Sequence, residues 1–213
     1  MAEIDLQLTR EFFELNQFKV TTHWPQHDPQ GTADSGVQLY VEAAAARDAG
    51  EIDPVLLPAD LRGIHRAVVE VRPWHTDRFY ASLIEANPVL VDFAEPWALG
   101  HAQEFFGTDD YKRILVISEL PRSPEQRAQA VRRLAQTSVD HVIEFPAILR
   151  DLADRVLPAG PYPGSPTLQL LQHLKRYRLL PNQQLEFTFP REAQAAGQGP
   201  RVEVLPESGE ADD

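Results

Sequence analysis

Ala67-Val68-Val69-Glu70-Val71-Arg72-Pro73-Trp74-His75-Thr76 is the stretch on which the reading of this chain turns. The segment Ala67 to Val71 is apolar enough to be a central strand, covered on both faces of a sheet. Glu70 interrupts that run, and Arg72 follows two residues later. Side chains two apart on a strand point to the same face, so Glu70 and Arg72 share one. An acid and a base side by side at a strand end, below a loop, is a place where a metal site can be built. Taken alone, the same pair reads as a same-face ion pair.

Working outward, Val37, Leu39 and Val41 alternate with Gln38, Tyr40 and Glu42, the period-two pattern of a half-buried strand. That strand is the one placed to supply a second carboxylate. Ile4, Leu8, Phe12 and Leu15 fall at helical spacing and predict an amphipathic first helix over residues 4 to 16, followed by a short strand at Phe18 to Thr22. Pro25 to Gly36 reads as a loop, and the segment after the alanine run at 43–46 reads as a polar, Pro-punctuated connector. Residues 79 to 106 are expected to be helical in two pieces, broken at Asn87-Pro88. Ile114 to Ile117 is an apolar strand, and Asp140 to Phe145 another. Ser123-Pro124 opens a helix, with Gln126 placed to complete a capping box. A helix over 147 to 156 and a last one capped by Ser165-Pro166 follow, then a strand at Leu185 to Phe189. Early strands that pair as a meander, followed by a helical crossover, give a mixed central sheet flanked by helices. The folded domain is expected to end near residue 190, with 191–213 a disordered acidic tail.

Composition limits the function classes. The chain has 213 residues, enough for one domain with a sizeable core, and no cysteine, which excludes disulfides and thiolate metal sites. No apolar run approaches the roughly 18 residues of a membrane span, and Met1-Ala2-Glu3-Ile4-Asp5 lacks the features of a signal peptide. The expected location is the cytoplasm. A net charge of -12 counts against a broad, non-specific nucleic-acid surface, although a local one is compatible with it. Basic clusters occur at Lys112-Arg113, at Arg127 with Arg132-Arg133, and at Lys175-Arg176 with Arg178; each reads as a solvated face, and together they are the material for one basic stripe. The seven histidines show no metal-ligand spacing. His101 and Glu104 read as a solvated helix face. His75 abuts the Glu70 segment and reads as a hydrogen-bonded structural residue.

The segments Phe12-Phe13-Glu14-Leu15-Asn16-Gln17-Phe18, Val37-Gln38-Leu39 and Val69 to Thr76 resemble the PD-(D/E)XK nuclease superfamily, whose fold is the restriction-endonuclease-like one. Ile114 to Ser118 and Asp140 to Phe145 are similar to later elements of one branch. The resemblance implies a restriction-endonuclease-like α/β domain with a C-terminal helical extension. It also implies a centre in which an Asp and a Glu hold Mg²⁺ and a Lys positions the attacking water. On this sequence the Glu is Glu70, the Lys position holds Arg72 and the Asp position holds Gln38. A Gln carbonyl brings no charge, and an arginine stays protonated and accepts no proton. Mg²⁺ binding is therefore expected to be weak. Asp34, or Glu11 or Glu14 on the first helix, are the carboxylates available to replace the missing one.

Three functions follow from the resemblance and the charge. The first is a nuclease-fold protein with weak or lost Mg²⁺-dependent phosphodiester cleavage, acting in nucleic-acid binding or as a scaffold. The second is a divergent but active Mg²⁺-dependent endonuclease. The third is a protein-interaction subunit with no nucleic-acid role, working with a protein partner or as a homo-oligomer. A second carboxylate within metal reach of Glu70 favours the enzyme. A Glu70 tied to Arg72 favours the other two.

Overall fold

The Val-rich stretch forms the strand Arg66–Arg72, and its five interior residues are all buried. The computed structural model describes residues 3–22, 39–45, 52–73, 75, 77–86 and 96–180. In chain order the elements are α1 (Glu3–Leu15), β1 (Phe18–Thr22), β2 (Leu39–Ala43), a 3-10 turn (Asp60–Gly63), β3 (Arg66–Arg72), α2 (Ala81–Ala86), α3 (Pro96–Phe106), β4 (Lys112–Ile117), α4 (Pro124–Leu134), β5 (His141–Glu144), α5 (Phe145–Arg155) and α6 (Pro166–Arg176). Among the described residues no helix is long and apolar enough to cross a membrane.

The strands lie in one mixed sheet in the order β1-β2-β3-β4-β5. β1, β2 and β3 form an antiparallel meander, with Leu39 opposite Val69 and Tyr40 opposite Val68. β4 runs parallel to β3, with Leu115 beside Glu70 and Ile117 beside Arg72, and β5 runs parallel to β4. Because strand side chains alternate, the sheet sorts its residues between two cores. On one face Leu39, Val41, Val69, Val71, Ile114 and Val116 pack with Phe12 and Phe13 of α1, Ile148 and Leu152 of α5, and Leu168 of α6. On the other, Tyr40, Val68, Leu115, Ile117 and Val142 pack with Ile84 of α2, Ala102 of α3, and Ala130 and Leu134 of α4. Glu70 and Arg72 are in phase with Val68 and belong to this second face.

The sequence reading departs from the structure at three places. β2 is not half-buried: Leu39, Tyr40 and Val41 are all inside. Phe105 and Phe106 of α3 cover its expected wet face, their rings 4.7 and 5.7 Å from that of Tyr40. The polar connector before β3 also has a structural role. Leu56 N donates to Val142 O and Val142 N donates to Pro54 O, both at 2.8 Å, so this strap occupies the outer edge of β5. Ser123 sits at the N-cap of α4, but its hydroxyl donates to Glu125 instead of capping. Residues 1–180 form one compact unit. The loop over 25–36, Asp34, Gln38, the break at Asn87-Pro88, the strand at 185–189 and the acidic tail lie outside the described residues.

The strap makes one buried histidine sensitive to protonation. His141 is buried at the start of β5, and its Nδ1–H donates to the carbonyl of Asp53 at 3.0 Å. Burial pushes its pKa below the ordinary value, against smaller raising effects of the Asp53 hydrogen bond and of Asp140. A depressed folded pKa means that the neutral form is favoured on folding. The stabilisation is complete above the unfolded pKa of about 6.5 and is lost as pH falls through the folded one. The difference in unfolding free energy between wild type and His141→Gln should therefore shrink as urea melts move from pH 7.5 down to pH 5. A difference constant with pH would contradict the assignment.

Candidate functional site

β3 carries Glu70 into the interior with its side chain 2% exposed, and Arg72 follows at 12%. A carboxylate this buried is tolerated only with a charged or strongly hydrogen-bonding partner. Strand geometry supplies one. Two residues on and on the same face, Arg72 donates from Nε to Glu70 Oε1. The expected contact between the two side chains is therefore present.

Two of the other carboxylates considered for this site, Glu14 and Glu11, are engaged elsewhere. Glu14 forms a surface pair with Arg10 at 2.8 Å, one turn away on α1. Glu11 is buried and accepts from Gln7 at 2.7 Å and from the hydroxyls of Ser165 and Thr167. Ser165 in turn accepts from Leu168 N at 3.0 Å, so Glu11 fastens the start of α6 to α1. Both residues lie on a helix that packs against the face opposite Glu70, and strand alternation keeps them from it. Asp34 and Gln38 are outside the described residues. Among the described residues no group of three or more Asp, Glu or His side chains is arranged to hold a metal. Among the described residues, one carboxylate with a guanidinium on it is not a donor set that fits Mg²⁺, which takes several hard oxygen ligands and a net negative charge.

Beyond Arg72 the chain turns at the carboxyl end of β3. There His75 Nε2 lies 3.1 Å from Asp5 Oδ1; Asp5 is 7% exposed and His75 52%. A carboxylate accepts, so His75 donates through Nε2. Its ring also meets the edge of Phe145, centroids 5.0 Å apart. His75 is thus held as a hydrogen-bonded residue, as its position in the sequence suggested. It lines a cleft of about 480 Å³ together with Asp77, Arg78, Tyr80, Ser118, Glu119 and the apolar Phe145, Pro146 and Leu149. These come from the segments that follow β3, β4 and β5, outside the carboxyl ends of three parallel strands, where α/β folds place ligands. Glu70 and Arg72 are not among the lining residues. Sequence reasoning missed Asp5, Asp77, Arg78, Tyr80, Ser118 and Glu119. For all but Asp5 the available signal was position just after a parallel strand; for Asp5 there was none.

The basic clusters are largely consumed within the domain. Arg127 pairs with Glu144 at 2.6 Å, and this hydrogen bond holds its pKa above the ordinary value. Glu144 also accepts from Leu120 N at 2.7 Å, tying the loop after β4 to the start of α5. Arg113 pairs with Asp140 at 3.1 Å, and Arg133 lies 3.6 Å from Glu85. Lys175 donates to the carbonyls of Asp154 and Val156 at the end of α5. His101 and Glu104 stand 4.0 Å apart, exposed, on α3.

A scan of family models, a search of curated proteins and a search of solved structures each find no match.

Breaking the β3 pair from one side strands a buried charge, whereas replacing both partners removes the problem. Arg72→Met should cost about 3–5 kcal/mol in urea melts, and Glu70→Leu with Arg72→Met should recover most of that loss. A single variant within about 0.5 kcal/mol of wild type would mean that other groups already satisfy Glu70.

Proposed function

We propose that this chain is a restriction-endonuclease-like domain that has exchanged its metal centre for an ion pair, and that it works in nucleic-acid binding or as a scaffold without efficient phosphodiester cleavage. The observation that carries the reading is the guanidinium of Arg72 on the buried carboxylate of Glu70. Arg72 brings permanently the positive charge that a divalent ion would bring, so the pair is neutral and has little attraction left for a cation. The guanidinium also accepts no proton at any working pH, so it cannot serve as a base toward water.

The sheet supports the same reading. A helix, an antiparallel meander of three strands, a helical crossover and a fourth strand parallel to the third follow one another here. The acid-x-base pair stands at the end of the strand that precedes the crossover. With a net charge of -12 and Arg113, Arg127 and Lys175 all engaged internally, a narrow contact or a protein partner suits the surface better than a wide polyanion track.

Plasmid nicking across a series of Mg²⁺ and Mn²⁺ concentrations separates the readings, with Glu70→Ala run in parallel. The expected result is no cleavage above the level of the Glu70→Ala protein. Robust nicking abolished by Glu70→Ala would replace this proposal with that of an active endonuclease.

A further inference from the structure

The cleft at the carboxyl ends of β3, β4 and β5 has an uneven supply of hydrogen-bonding groups. Arg78 is held from two sides: its backbone N–H donates to Asp77 Oδ1 at 2.7 Å, and its Nε donates to Glu119 Oε2 at 3.1 Å. The second of these contacts orients the guanidinium and takes up its Nε edge. The two terminal nitrogens have no partner among the described residues, and they form the fork with which arginine binds a carboxylate or phosphate through two parallel hydrogen bonds. Tyr80 lines the same cleft, and its hydroxyl too has no partner among the described residues. His75 is aimed by the buried Asp5, which takes its Nε2–H and leaves Nδ1 free of any partner among the described residues. Glu119, which also stands 3.9 Å from Arg122, is balanced by two cations.

Part of the cleft's lining is apolar. Phe145, Pro146 and Leu149 form it, and Leu149 is 40% exposed with nothing polar to gain from that position. A polar fork and an apolar surface lining one space of about 480 Å³ suit one small molecule with two unlike ends.

We propose that this cleft is a binding site for a small organic anion, with a phosphate or carboxylate head on the Arg78 fork and a flat apolar body against Phe145, Pro146 and Leu149. Tyr80 donates a further hydrogen bond to the head. His75, in the orientation set by Asp5, accepts through Nδ1 from the O–H of a singly protonated phosphate head. The site is separate from the Glu70–Arg72 pair and does not rest on the function proposed above.

Calorimetry on the full chain with phenyl phosphate and benzoate, against inorganic phosphate and phenol, tests this. One or both organic anions should bind, which of them identifying the head, while the bare head and the bare body bind more weakly. Arg78→Gln should weaken the better anion about tenfold or more. Leu149→Asp, at an exposed position that leaves the core intact, should weaken it as well by setting a carboxylate against the body. If Arg78→Gln does not fold, Leu149→Asp and Tyr80→Phe carry the test. The proposal fails if neither organic anion binds at millimolar concentration, if phenol or inorganic phosphate binds equally well, or if the folded variants bind like wild type.

Discussion

A carboxylate in the middle of a β-sheet needs a positive partner, and at Glu70 that partner is Arg72. The pair stands on the second face of β3, between Leu115 and Ile117 of the neighbouring strand. The apolar Val68, Leu115 and Ile117 are its neighbours on that face, and the side chains of Glu70 and Arg72 are 2% and 12% exposed. Coulomb attraction in such surroundings is strong, but so is the desolvation cost of both ions, and their net contribution to stability is small. What the pair fixes is the chemistry available at this end of the sheet. Its two formal charges sum to zero, and its carboxylate accepts from Arg72.

Much of the fold was legible because its signals were periodic and local. The Val-rich run at β3, the apolar Ile114-Leu115-Val116-Ile117 and the helical spacing of α1 each carry enough apolar side chains to declare their partners. Ser165 gave a correct N-cap for α6, since its hydroxyl accepts from Leu168 N. What escaped depends on long-range contact. Tyr40 reads as a wet-face residue until Phe105 and Phe106 are folded over it. The strap at Pro54 to Leu56 has no pattern of its own and is held by two backbone hydrogen bonds to Val142 that no composition can reveal.

The candidate site divides in the same way. Glu70 and Arg72 are two residues apart, so strand alternation alone predicted that they would meet. Glu11 and Glu14 were plausible ligands only while the side of the sheet taken by α1 was unknown; the alternation that buries Val69 and Val71 against Phe12 and Phe13 places them across the sheet from Glu70. The Asp5–His75 contact spans 70 positions, and the cleft draws residues from three separate segments. Sequence spacing has no access to either. The domain thus has two distinct places at the carboxyl end of β3: a closed, neutral pair within the sheet and an open, polar cleft in the loops beyond it.

The central claim is that Arg72 holds the place of a metal ion. Calorimetric titration of Mn²⁺ into the wild type and into the Gln38→Asp, Arg72→Lys double variant measures this directly. The variant places an acid and an amine at the two positions that the proposed PD-(D/E)XK reading assigns to them. The account predicts weak binding by the wild type and a clear gain in the double variant. Tight, stoichiometric binding by the wild type would contradict it.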